Sequence, residues 1–199
     1  MKKFISLMLV AVIAISSVFA MSGYIGASSG YGFDFITEPE FKKIGTHIPV
    51  NVDGATFFGK GNFNIGFSYG AEIASIPMTY GEHEADPADY EWTLAPYAGL
   101  AFQYRFGKSF ALAGSVNATY NWNNLENTKT TIHQLGAMGN LFINMNMGSV
   151  NFRIGGLAGG PIHAWSVTKD VPLLGTVTQE YDTTGSMYIT PFAGIGFAY

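Results

Sequence analysis

Apolar and polar residues alternate one by one along most of this chain. Phe63, Ile65, Phe67, Tyr69, Ala71 and Ile73 are interleaved with Asn62, Asn64, Gly66, Ser68, Gly70 and Glu72. From Tyr90 to Phe106 the same alternation runs for seventeen residues, with Trp92, Leu94, Leu100, Phe102 and Tyr104 in one phase and Gly99, Ala101, Gln103 and Arg105 in the other. Successive side chains of a β-strand point to opposite faces, so each segment carries one aromatic, apolar face and one small or polar face. Strands of globular proteins average five or six residues, and these are far longer. The pattern predicts eight strands: Tyr24–Phe35, Ile48–Phe58, Asn62–Ile76, Tyr90–Phe106, Phe110–Trp122, Ile132–Met147, Val150–Val167 and Tyr181–Tyr199. The pairs Gly155-Gly156 and Gly159-Gly160 are the expected place for a β-bulge that shifts the phase.

The connections fall into two kinds. Gly59-Lys60-Gly61, Phe106-Gly107-Lys108-Ser109 and Met147-Gly148-Ser149 are tight glycine turns. Polar stretches near Ile36–His47, Met78–Asp89, Asn123–Thr131 and Thr168–Glu180 are expected to form longer loops. The two kinds alternate strictly, which predicts an all-β fold: an eight-stranded, antiparallel, up-and-down transmembrane β-barrel with short turns at one end and four loops at the other.

Hydrocarbon, rather than water, is the solvent this pattern fits. Aromatic residues cluster at both strand ends, with Phe58, Phe63, Tyr104, Phe106, Phe110, Phe152, Phe197 and Tyr199 towards the turns and Tyr90, Trp92, Tyr120, Trp122 and Tyr181 towards the loops. Two aromatic girdles around an aliphatic band are what the two interfaces of a membrane select. A soluble, lipocalin-like barrel would turn the apolar face inward and show water a surface of Asn, Gly, Ser and Ala with almost no lysine or glutamate. Composition points the same way: only 12% of residues are charged, 15% are aromatic, and there are 25 glycines. An ordinary domain has about a quarter charged residues.

The first residues read as a leader. Met1-Lys2-Lys3 precedes an apolar run from Phe4 to Val18, and Val18-Phe19-Ala20 supplies the small residues of a cleavage site. Residues 1–20 are therefore expected to be a signal peptide, with the barrel domain at 21–199. The apolar run is shorter than the ~20 residues of a spanning helix. Without Lys2 and Lys3 the remaining chain has eight basic residues against 14 acidic ones, which excludes the basic face a nucleic-acid partner needs. There is no cysteine, so disulfides, thiolate metal sites and thiol catalysis are excluded.

The C-terminal stretch Pro191-Phe192-Ala193-Gly194-Ile195-Gly196-Phe197-Ala198-Tyr199 ends on an aromatic residue with an apolar residue at every second position before it. In this the chain resembles the small eight-stranded outer-membrane barrel proteins, the group containing outer-membrane proteins A, X and W. The resemblance implies an outer-membrane location with both termini in the periplasm, outer-membrane lipids as surroundings, and Phe197 and Tyr199 as an assembly signal read by the barrel-assembly machinery. A weak internal echo relates Pro96–Tyr104 to the C-terminal motif and Asn62–Gly66 to Asn151–Gly155.

Candidate chemistry is sparse. Eight strands enclose room for side chains or one small ligand. Arg105, Arg153, Glu72 and Glu91 are the charges expected in the lumen, with Asp34 and Asp53 beside them, as a stiffening polar network or a constriction of a narrow porin-like channel for small solutes. The segment Glu82–Glu91 packs five carboxylates and His83 together, a solvated acidic loop or a site for hard cations. A lipid-modifying enzyme would use His133 or His163 with Ser166 and Asp182, but Ser166 lies three residues beyond His163, and on a regular strand such residues face opposite sides. The chain thus reads as a non-catalytic envelope protein, without cofactor or metal, acting structurally or through an extracellular ligand of its loops.

Overall fold

A computed structural model describes residues 22–38, 41–59, 61–80, 83–84, 94–125, 130–171, 175–181, 183 and 185–199. Eight long strands form one ring: β1 (Ser22–Gly30 continued by Gly32–Glu38), β2 (Phe41–Phe58), β3 (Phe63–Tyr80), β4 (Ala95–Arg105), β5 (Phe110–Leu125), β6 (Thr130–Met147), β7 (Val150–Val171) and β8 (Gly175–Tyr181 continued by Met187–Ala198). Each pairs antiparallel with its neighbours in sequence. Strand β8 returns to β1, with Phe197 opposite Ile25 and Phe192 opposite Gly30, which closes the barrel. The leader at residues 1–20 lies outside the described residues, as does Glu91.

The seam is secured at the turn end. Gly23 and Tyr199 exchange two backbone hydrogen bonds (2.9 and 3.1 Å), and the Tyr199 hydroxyl reaches Thr56 Oγ1 at 2.7 Å. One interruption has a direct cause. Tyr31 donates its N–H to the Pro191 carbonyl (3.1 Å), but Pro191 has no N–H to return, and β1 breaks there. At the turn Met147-Gly148-Ser149, Gly148 has φ +66°, a conformation glycine adopts without the Cβ clash of other residues.

Three expectations are corrected. The polar stretches read as long loops are largely ladder: β1 runs to Glu38 and β2 resumes at Phe41, β7 runs to Val171 and β8 resumes at Gly175, and His83–Glu84 pairs with Thr79–Tyr80. Cross-strand hydroxyl pairs hold these polar extensions, Thr46 with Thr79 at 2.7 Å and Thr130 with Thr168 at 2.9 Å. The phase shift in β7 occurs just past the glycine pairs. Leu135 opposes His163 and Gly136 opposes Pro161, leaving Ile162 as the extra residue. Two further shifts leave Ile73 and Met78 unmatched in β3. Finally, Tyr181 belongs to the lumen rather than the girdle, its hydroxyl donating to Ser166 Oγ at 3.1 Å.

The outer surface is apolar. Leu100 is 68% exposed in the middle of β4, flanked by exposed Phe67 and Val116 on the neighbouring strands. Such a surface is stable only against hydrocarbon, which makes this a transmembrane β-barrel. Leu100→Arg is therefore expected to weaken folding into lipid vesicles by about 2–4 kcal/mol, and Phe106→Arg at the turn-end interface by at most about 1 kcal/mol. Urea titrations of vesicle-bound folding measure both, and equal effects would contradict the lipid-facing assignment.

Candidate functional site: the barrel lumen

Alternation places Ser68, Asn117, Gln103, Asn144 and Asn151 inside, all buried. It also turns four large rings inward that the sequence pattern alone did not assign to the lumen: Tyr24, Phe57, Phe142 and Phe192. Phe142 lies edge-on to Tyr24 and to Phe192, with ring centres 5.9 and 6.0 Å apart. Their signal was phase, not composition. Phe142 falls in step with Asn140 and Asn144, and Phe57 with Asn51 and Asp53.

Across these rings lies an ion pair. The Arg153 guanidinium binds the Asp53 carboxylate, donates to the Ala27 carbonyl at 3.2 Å and sits 4.2 Å above the Tyr24 ring centre. Arg153 is 2% exposed. A charge so enclosed is tolerable only with its counter-charge and hydrogen bonds in place. Rings and ion pair together form a floor across the lumen.

Below the floor, at the turn end, is a pocket of about 190 Å³ lined by Arg105, Lys108, Gln103 and Asn146. Arg105 and the Gln103 amide both reach Ser22 Oγ. The two arginines thus lie at different levels with different partners, and do not face each other across one constriction. Above the floor a vestibule of about 570 Å³ opens towards the loops, with Asp34, Glu72, Tyr97, Tyr181 and Tyr188 in its wall. His47 Nδ1 lies 2.7 Å from Asp34 Oδ2. Tyr97 and Tyr188 lie flat because the adjacent strand has no side chain beside them: a Cβ on Gly70 would stand 2.6 Å from Tyr97 Cζ, and one on Gly159 2.7 Å from Tyr188 Cζ.

The hydrolase residues are not assembled. The bulge at Ile162 leaves His163 outside, stacked on Trp165 with centres 5.1 Å apart, while Ser166 points inward and is 3% exposed. His133 stacks on the same indole and pairs with the Tyr120 hydroxyl at 2.7 Å. Asp182 lies outside the described residues, as does most of the acidic segment Glu82–Glu91. Among the described residues no cluster of three or more metal-ligating side chains occurs. Phe197 and Tyr199 both project outward, 68% and 45% exposed.

Closed ring, apolar exterior and filled lumen define the class: a small eight-stranded membrane barrel of the outer-membrane type. No protein-family model matches the chain, and no curated protein matches it in sequence. Among solved structures it is similar to Ail, the attachment invasion locus protein of Yersinia pestis (12% identity, TM-score 0.40, 90% of this chain and 100% of that one). It is similar also to a major outer membrane protein of Thermus thermophilus (13%, 0.40, 89% and 99%) and to the outer membrane protease OmpT of Escherichia coli (10%, 0.37, 89% and 96%).

The floor makes a stability prediction. Asp53→Ala strands the Arg153 charge and is expected to cost about 3–5 kcal/mol, whereas Asp53→Ala with Arg153→Met costs markedly less. Denaturant midpoints of the heat-modifiable folded band test this, and additive losses would argue against a buried pair.

Proposed function

We propose that this chain is exported by its leader to the outer membrane, is inserted by the barrel-assembly machinery reading Phe197 and Tyr199, and works there without catalysis, as an envelope protein acting through its loops and outer mouth. The observation that carries this reading is the floor. Tyr24, Phe57, Phe142 and Phe192 with the Arg153–Asp53 pair separate the vestibule from the turn-end pocket. An eight-stranded ring is just wide enough for side chains to fill, and at the floor they do.

Charge is distributed to match an outward role. Apart from Asp34, Asp53 and Glu72, every acidic residue falls in or beside the four long connections, where Lys42, Lys43, Lys129 and Lys169 offset only part of that charge, while Lys60 and Lys108 stand in the short turns. An acidic mouth attracts divalent cations and basic ligands and repels anions.

The competing reading, a narrow conduit, draws on the two cavities stacked on one axis. Planar-bilayer recording separates the two. The refolded protein is expected to give no steady conductance, and Phe142→Ala with Phe192→Ala to give discrete openings. Steady openings of the unaltered protein would replace the envelope reading with the conduit. Release of fatty acid from outer-membrane lipid, abolished by His163→Ala, would replace it with an enzyme.

A further inference from the structure

The vestibule has the build of a binding site, and its chemistry selects a class of ligand. Its volume of about 570 Å³ falls within the ~300–1,000 Å³ typical of small-molecule sites. It is blind, because the floor closes it below, and a molecule entering from the loop end is surrounded rather than passed on. Three tyrosines, Tyr97, Tyr181 and Tyr188, supply aromatic surface, and two carboxylates, Asp34 and Glu72, supply negative charge. No lysine or arginine lines it among the described residues. His47, also in the wall, is bound to Asp34, its Nδ1 2.7 Å from Oδ2.

We propose that this vestibule binds a small organic cation with an apolar body, such as an aryl-alkyl ammonium. Aromatic faces attract ammonium groups through the ring quadrupole. Glu72 and Asp34, the latter also bound to His47 Nδ1 at 2.7 Å, meet the charge. An anion would be repelled by Glu72 and would meet only the His47 imidazole, which Asp34 already holds. A neutral apolar molecule would strip water from the carboxylates and return no charge, which disfavours it. The segment that joins β3 to β4 in sequence carries Glu82, Glu84, Asp86, Asp89 and Glu91, and negative charge at the loop end raises the local concentration of cations. The proposal rests on the closed floor, and it is decided by binding to the folded barrel rather than by conductance.

The test uses the full barrel refolded in detergent, with folding checked by its heat-modifiable mobility, and benzylammonium as probe in titration calorimetry. Saturable one-to-one binding is expected, with none for benzenesulfonate. Glu72→Gln and Tyr97→Leu are each expected to weaken binding about tenfold or more. Tyr97→Phe keeps the ring, preserves packing and is expected to keep the affinity within about twofold. Neutralising Glu82, Glu84 and Asp86 is expected to change the salt dependence far more than the affinity at high salt. Three results would each overturn the proposal: no saturable binding by the folded protein, equal binding of benzenesulfonate, or a loss on neutralising the loop as large as that of Glu72→Gln.

Discussion

Everything in this molecule depends on closing the backbone hydrogen-bond ladder. In hydrocarbon an N–H or C=O without a partner costs several kcal/mol, and only a ring of strands leaves no edge. The last strand must therefore find the first, and the pairing of Phe197 with Ile25 and of Tyr199 with Gly23 does this. The same constraint explains where irregularity is allowed. Ile73 and Met78 in β3 and Ile162 in β7, the extra residues of these strands, stand ten or more residues above the turns, at or beyond the outer limit of the roughly 9–11 residues a tilted strand spends in lipid. Within that span the alternation is unbroken. Beyond it, water serves the backbone groups that a bulge leaves unpaired.

Sequence made the ring legible because lipid enforces a strict period of two, and glycine turns such as Met147-Gly148-Ser149 mark where the chain reverses. The extent of the strands was less legible. Polarity reports contact with water, and beyond the membrane a strand is wet on both faces while its ladder continues. Thr46 with Thr79 and Thr130 with Thr168 show how: threonine is both a good strand former and a cross-strand hydrogen-bonding partner. Stretches that read as loops are therefore hairpins standing above the bilayer.

The lumen was legible in its polar residues and illegible in its partnerships. A wall of Asn, Ser and Gly follows from alternation alone, but nothing in the sequence joins Arg153 to Asp53, a hundred residues away. That pairing depends on register, which the turns and the closing strand fix together. Similarly, His163 and Ser166 look close along the chain. One extra residue between Pro161 and His163 settles that they face outward and into the lumen respectively, because a strand offers only two directions.

Filling an eight-stranded ring is a problem of steps, and the solution divides it by height. Large rings fit mid-barrel only where small residues stand opposite, and stacking Tyr24, Phe57, Phe142 and Phe192 there uses up the cross-section. The charge that completes the floor is then forced to be paired, since no water column remains beside it. Higher up, the glycines beside Tyr97 and Tyr188 let those rings lie against the wall instead of crossing the axis. Space lost at the middle reappears as the vestibule. One sequence rule, large against small across each pair of strands, thus both closes the barrel to flow and opens a cup to the outside.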